Sequence, residues 1–359
     1  MQLRLEPRQS TSRAMQYASP LIAAGLTIIA GIGLFGALGT DPLLALYTFF
    51  IQPLTSTYSI AELLIKATPL LLCALGLMVG FRGNVWNIGA EGQLTVGAIA
   101  SGGVALAAYG NEGPWLLPLM LIAGALGGMA WASIPAFLKT RFNANEILVS
   151  LMLTYVAIQL LGHVVHGPWR SPEGFNFPET RTFGDWGTLP ILLEGTRLHA
   201  GIFVALAVMI AIWVLMARTF QGFKITVAGQ APAAAGYAGF SAKSVVWVSL
   251  MISGATAGLA GTVEVMGTIQ QLQPIISPGY GFAAIIVAFL GRLHPVGVLL
   301  ASLLMSLMYL GGESLQMNMN LPLAVTGVFQ GLLLFFVLGS DVLTRYRIRI
   351  IRDAQPEAS

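Results

Sequence analysis

The sequence predicts an all-α integral membrane protein with about ten transmembrane helices and both termini in the cytoplasm. Three observations predict it. First, of 359 residues 56% are hydrophobic and only 9% are charged, and the mean hydropathy is +0.77. A soluble domain carries about 25% charged residues, so this chain cannot cover a water-facing surface. A soluble enzyme and a disordered chain are both excluded. Second, the apolar residues gather in runs close to the ~20 residues that cross a bilayer as a helix. Third, the basic residues fall mostly on one side of those runs, as the positive-inside rule requires. Forty-two glycines suit helices that pack closely in lipid.

The spans read in order as 20–39, 58–80, 88–109, 115–138, 146–167, 198–217, 243–266, 280–291, 295–312 and 322–340. The eighth is short, so it either borrows residues from 272–279 or is a broken helix. The run 43–51, after Asp41-Pro42, is apolar but too short to cross. With the N-terminus inside, the cytoplasmic segments hold Arg4, Arg8, Arg13, Arg82, Lys139, Arg141, Arg218, Lys224, Lys243, Arg292, Arg345, Arg347, Arg349 and Arg352. Three more basic residues, Arg170, Arg181 and Arg197, fall in a long external loop, 168–197, and Lys66 lies within a span. Without the eighth span, Arg292 and the basic tail would sit on opposite sides, so it is kept. The organisation is a lead, 1–19; a membrane domain, 20–340, with an internal loop at 218–242; and a tail, 341–359. The lead reads as an uncleaved anchor rather than a signal peptide.

Chemistry-bearing motifs are sparse. Net charge is +3 with the basic residues scattered over loops, which gives no nucleic-acid surface. The single Cys73 lies in an apolar run, and the four histidines show no metal or triad spacing. No metal site and no catalytic residue is therefore expected. Arg82 and Arg292 each sit between two spans, in Phe81-Arg82-Gly83 and Leu290-Gly291-Arg292, a faint echo of a duplicated half.

Acidic and amide residues inside spans are costly unless they face protein or a cavity. The densest cluster is Asn84, Asn87, Glu91 and Gln93. Asn84, Asn87 and Glu91 would form one polar stripe if helical, while Gly89 and Gly92 admit another backbone or a ligand beside it. The stripe reads either as a substrate pathway or as a contact fixing helix register. Glu264, followed by Thr268, Gln270, Gln271 and Gln273, reads as a polar mouth or as an interfacial Glu. Glu62 and Lys66, four apart on one helix, are expected to neutralise each other. Glu146, Ser150 and Thr154 form a second stripe, lining a cavity or packing a helix. Gly254, Gly258 and Gly261 read as a helix-packing face. Glu313, Gln316, His163 and His166 are expected at outer span ends.

In the internal loop, Ala231 to Ala238 suits a short helix, with Pro232 in its first turn and Gly239 at its end. Here the sequence resembles the permease subunits of ATP-binding-cassette importers, in the branch serving branched-chain amino acids, simple sugars and nucleosides. Thr219, Gly222 and Gly229-Gln230-Ala231-Pro232-Ala233-Ala234-Ala235, with Gly239, are similar to that family's cytoplasmic coupling segment. Asn87-Ile88-Gly89-Ala90-Glu91-Gly92-Gln93 looks like the signature of the nucleoside-type permeases. Gly279-Tyr280 through Gly291-Arg292 resembles a third family block. The likeness covers about 55–340. Ribose-type permeases usually carry a Gly-Ile-Asp-Leu-Ser-like stretch where this chain has Trp86-Asn87-Ile88-Gly89. Trp86 replaces an expected Phe or Leu, and no Pro follows Thr219.

The resemblance implies a type II-like importer permease in the bacterial inner membrane, paired with a second permease chain, identical or related. It implies an ATPase docked on Gly229, Gln230, Pro232, Ala233, Ala234 and Gly239, and an external solute-binding protein. ATP and Mg then belong to the ATPase, since this chain has no Gly-Lys pair and hence no phosphate-binding loop. The implied solute is a nucleoside or purine-like compound, with a sugar or amino acid as the alternative. An ion-coupled transporter using Glu91 or Glu264 as a proton site, and a membrane-embedded enzyme, are the readings from other classes.

Overall fold

The computed structural model of the chain describes residues 2–7, 13–322 and 324–351. In chain order the helices are α1 (Arg13–Ala37), α2 (Pro42–Leu46), α3 (Thr57–Arg82), α4 (Ala90–Ala107), α5 (Leu116–Phe142), α6 (Glu146–His166), α7 (Gly201–Arg218), α8 (Phe220–Gln230), α9 (Pro232–Tyr237), α10 (Ala242–Val263), α11 (Tyr280–Leu290), α12 (Pro295–Met319) and α13 (Ala324–Arg345). A π-helical stretch, Glu264–Ile269, continues α10. Each of the ten predicted spans overlaps one of these helices. Among the described residues six of them, α3, α5, α6, α7, α10 with its π extension, and α12, are long and apolar enough to cross a membrane. For the eighth span the broken-helix alternative is the one found: α11 has 11 residues and 270–279 remain non-helical.

The described residues form two compact units, those within 54–307 and the combination of those within 1–53 with those within 308–359. In the larger, α3 is the central helix, buried from Ala61 to Phe81 except at Leu64 and Lys66. Ser56 starts it, its hydroxyl accepting the Ser59 N–H at 3.1 Å. Two asparagines punctuate the next hairpin. Asn143, at φ 52°, closes α5, and the Asn145 carboxamide oxygen accepts from the N–H groups of Ile147 and Leu148 to open α6. This is the stop-and-start chemistry of helix caps.

Glycine sets how α4, α5 and α10 meet. A Cβ on Gly128 would strike the Gly254 carbonyl oxygen and lie 2.8 Å from Gly258 Cα, and a Cβ on Gly97 would strike Gly258. The predicted small-residue face of Gly254, Gly258 and Gly261 is thus a packing face, with Gly261 set against the Leu94 carbonyl of α4.

In the smaller unit Asp41 caps α2, accepting the Leu43 N–H at 2.9 Å. The apolar run 43–51 forms α2 and a π turn, Tyr47–Ile51, that buries Phe49. Phe49 stacks on Phe329 at 4.8 Å, and Phe35 lies 5.5 Å from the same ring. The all-α expectation needs one correction. Gln2–Pro7 (β1) pairs antiparallel with Tyr346–Ile351 (β2), in register from Gln2↔Ile351 to Pro7↔Tyr346. Both segments alternate polar and apolar residues with period two, a strand pattern, inside the stretches read as a lead and a tail.

Gly128→Ala is expected to overpack the α5–α10 contact and cost about 1–3 kcal/mol. Gly162→Ala, where an added methyl meets nothing within 4 Å, should leave stability unchanged. Thermal unfolding of the two detergent-purified variants checks the contrast.

Candidate functional site

The predicted helical stripe of Asn84, Asn87 and Glu91 does not form. Helix α3 stops at Arg82, residues 85–89 run without helix, and α4 starts only at Ala90. The turn explains this. Asn84 takes φ 54°, the left-handed region that asparagine tolerates. Val85 N–H then reaches back to the Gly80 carbonyl at 2.9 Å. Asn84 is exposed, whereas Asn87, Glu91 and Gln93 are buried.

Asn87 is fully engaged. Its NH2 donates to Gln93 Oε1 and to Ser253 Oγ on α10, both at 2.8 Å. Its carbonyl oxygen accepts from Gly89 N–H at 2.9 Å and Gln93 Nε2 at 3.2 Å. This amide pair locks the non-helical stretch to α4 and α10. Ile88 N–H donates to Ser150 Oγ at 3.1 Å. Gly89 and Gly92 bring this stretch onto the backbones of Ser150 and Thr154. Close approach by glycine was legible in the sequence, and the partner proves to be α6. The second stripe accordingly packs a helix at Ser150 and Thr154, while Glu146 pairs with Lys139 at 2.9 Å.

Glu91 faces the start of α11. Its Oε2 accepts the Gly281 N–H at 2.7 Å, and the Ser277 hydroxyl and Gly279 N–H also reach the carboxylate. Ser277 Oγ in turn accepts from Tyr280 N–H at 2.8 Å and Gly279 N–H at 3.1 Å. A Cβ on Gly281 would strike the Glu91 backbone.

At the other end of α3, Glu62, expected to face Lys66, has a further partner. Arg197, 135 residues away, forks onto Glu62 with bonds of 2.9 and 2.7 Å. That contact raises the Arg197 pKa. No local spacing could have revealed it. Glu264 is buried, with Thr268 in hydrogen-bond reach and Lys66 and Arg197 as the cations facing it. The interfacial alternative for Glu264 is therefore set aside. The loop 168–197 is tied to the stretch after α10: Leu189 N–H donates to Met266 O, Phe183 N–H to Gln270 O, and Thr180 and Leu272 exchange bonds.

The internal loop is more ordered than its sequence suggested. Thr219 caps α8, its hydroxyl accepting the Gly222 N–H at 3.2 Å. The short helix α9 opens on Pro232, and Gly239 follows it at φ 76°. Gln230, Pro232, Ala233, Ala234 and Gly239 are exposed. Gly229 instead abuts the turn after α3, where a Cβ would strike the Arg82 carbonyl oxygen and sit 3.1 Å from Asn84 N. Sequence reasoning missed the aromatic flank. Tyr237 is 96% exposed, and Phe240 packs edge to face on Phe220 and Phe223, which stack on each other, with Lys224 Nζ over the Phe220 and Phe240 rings.

Long apolar helices, a broken helix and an ordered helix pair between them are those of a multi-pass membrane protein. The chain belongs to the family described as branched-chain amino acid transport system / permease component, which matches residues 59–338. It is 36% identical to a glucose ABC transporter permease protein of Haloferax volcanii, covering 98% of this chain and 95% of that one. It is 33% identical to a guanosine ABC transporter permease protein of Bacillus subtilis, over 82% and 83% of the two chains. It is 29% identical to a nucleoside ABC transporter permease protein of Lactococcus lactis, over 89% of each.

Arg197→Ala leaves the buried Glu62 carboxylate without its two charged bonds and is expected to cost about 1.5–3 kcal/mol. Adding Glu62→Gln should recover part of the loss, because a neutral amide is cheaper to bury. A double-mutant cycle on thermal unfolding measures both.

Proposed function

We propose that this chain is the membrane subunit of an ATP-driven importer and carries a nucleoside or purine-like solute by alternating access. The observation that carries the reading is the helix pair α8–α9. It exposes a small-residue face with one fully bare aromatic, while Gly229 presses on the turn that leads into the 85–93 stretch. A surface joined so directly to the buried core is suited to receive motion from a partner. The partner is an ATPase subunit that holds ATP and Mg. Closure of two such subunits shifts the population between outward-open and inward-open states, by as much as nucleotide binding differs between them.

The family supports a reading of the remaining assembly. A second permease chain, identical or related, completes the pore, and an external solute-binding protein delivers the solute. The chain sits in the plasma membrane with both termini in the cytoplasm, 168–197 outside and 218–242 inside. All ten predicted segments, α11 with its non-helical lead included, count toward the crossings. The solute route is framed by Asn84, Asn87, Glu91, Gln93 and Glu264. With the amides of Asn87 and Gln93 already paired to each other, these residues support the wall of the route.

The nucleoside reading is supported by the Asn87–Gln93 motif and by the guanosine and nucleoside relatives. The glucose relative, similar over nearly the whole chain, favours a sugar as second reading. Both solutes present a hydroxyl-rich ring.

The test is uptake of radiolabelled guanosine, adenosine and glucose by cells with and without this chain, repeated with an ATPase-dead partner. Nucleoside uptake lost in both cases supports the proposal. Glucose uptake lost instead selects the sugar reading. Uptake that needs the chain but not hydrolysis overturns ATP drive.

Docking has its own check. Tyr237→Ala is expected to weaken co-purification of the ATPase about tenfold or more, as loss of an exposed aromatic anchor does. Gly229→Val should leave the complex assembled but reduce solute moved per ATP. Unchanged coupling in Gly229→Val would remove the role given to that contact.

A further inference from the structure

We infer that Glu91 is a positioning residue, whose carboxylate oxygen fastens the half-helix α11 to the first turn of α4 so that the two move as one body. The inference rests on the importer reading above and concerns how movement at α8–α9 reaches the bilayer centre.

The geometry begins with an incomplete helix. Eleven residues of α11 make about 16 Å of helix, roughly half of a ~30 Å hydrocarbon core. Its lead, 270–279, is not helical, so its first N–H groups have no carbonyl from a preceding turn. In an apolar surrounding each such donor needs a partner. Ser277 takes two, at Gly279 and Tyr280. The third, on Gly281, is taken by Glu91 at 2.7 Å across 190 residues of sequence. The missing side chain of Gly281 lets the two backbones touch at the same point. Glu91 itself stands in the first turn of α4, so its carboxyl oxygen lies at the N-termini of two helices.

The other end of the linkage is cytoplasmic. Gly229 abuts the Arg82 carbonyl and Asn84 N. Three residues on, Asn87 is bonded to Gln93 of α4 and Ser253 of α10. Two residues before Gln93 is Glu91, holding α11. These contacts lie inside the single unit Leu54–Leu307, and the step from Asn84 to Asn87 runs along three residues of chain. A push on Gly229 therefore has a short path to α11. What the joint at Glu91 needs is an acceptor oxygen at the right reach.

That requirement separates reach from charge. Glu91→Gln keeps an acceptor oxygen at the same distance and removes the charge. Glu91→Asp keeps the charge and withdraws it by one C–C bond, about 1.5 Å. The full transporter, with its ATPase and binding protein, is assayed in proteoliposomes for uptake and for ATP hydrolysis. Wild-type uptake that depends on ATP tests the importer reading independently of the Glu91 variants. The expected order is Glu91→Gln within about twofold of wild type, and Glu91→Asp and Glu91→Ala lower by about tenfold in uptake and in solute moved per ATP. Basal hydrolysis should stay within about twofold in all three. Gly281→Ala, which pushes the same contact apart from the α11 side and leaves Glu91 intact, should reproduce the Glu91→Ala ratio. It also serves as the test if the Glu91 variants fail to assemble. Glu91→Asp equal to or better than Glu91→Gln would show that the charge matters, as in proton or solute binding, and would overturn the inference. So would a raised KM with unchanged solute per ATP, or Gly281→Ala with wild-type coupling.

Discussion

A backbone that leaves the helix inside an apolar protein must find new partners for its N–H and C=O groups, and much of this chain's interior is arranged around that need. Two stretches leave the helix, 85–89 and 270–279. The first is answered by Gly80, Asn87 and Ser150. The second is answered by Val265, Thr180, Ser277 and Glu91. Among the buried polar side chains of the larger unit, Asn87, Glu91 and Ser150 serve this purpose. In the sequence they stand out as intramembrane polar residues and suggest solute contact. Their first duty is to complete the backbone of two interrupted helices.

Close approach is the second requirement, and glycine meets it. Gly89 and Gly92 let the first stretch rest on α6, Gly281 lets α11 touch α4, and the glycines of α5 and α10 let those helices meet backbone to backbone. Without a hydrophobic drive between helices in lipid, such contact is a main source of association. It also makes the contacts stiff. A joint formed by two backbones has little freedom to absorb displacement.

The two ends of the larger unit are built differently. On the side of α8 and α9, small exposed residues and a bare tyrosine form a surface with no partner among the described residues. On the side of the 168–197 loop, the loop is bonded to 266–272 and Arg197 is forked onto Glu62. The first end is open to a partner and the second is fastened to the body. The fastening ties the 168–197 loop to α3 and to the stretch that follows α10.

The sequence by itself determined the membrane class, the ten apolar segments, the short helix after Gln230 and the glycine contacts at Gly89 and Gly92. These depend on composition and on spacing within one turn or one span, and such local rules hold wherever the segment ends up. Tertiary structure alone decided the rest. The 85–89 stretch escapes helix because Gly80 and Ser150 offer it other bonds. Glu62 takes Arg197 as a partner in addition to anything four residues away, because the outer loop returns beside α3. Glu91 serves α11 because a second interrupted helix starts at its level. The terminal ribbon exists because the two chain ends meet. Each is a meeting of residues far apart in the chain, and no periodicity within a segment records which distant segment will stand beside it.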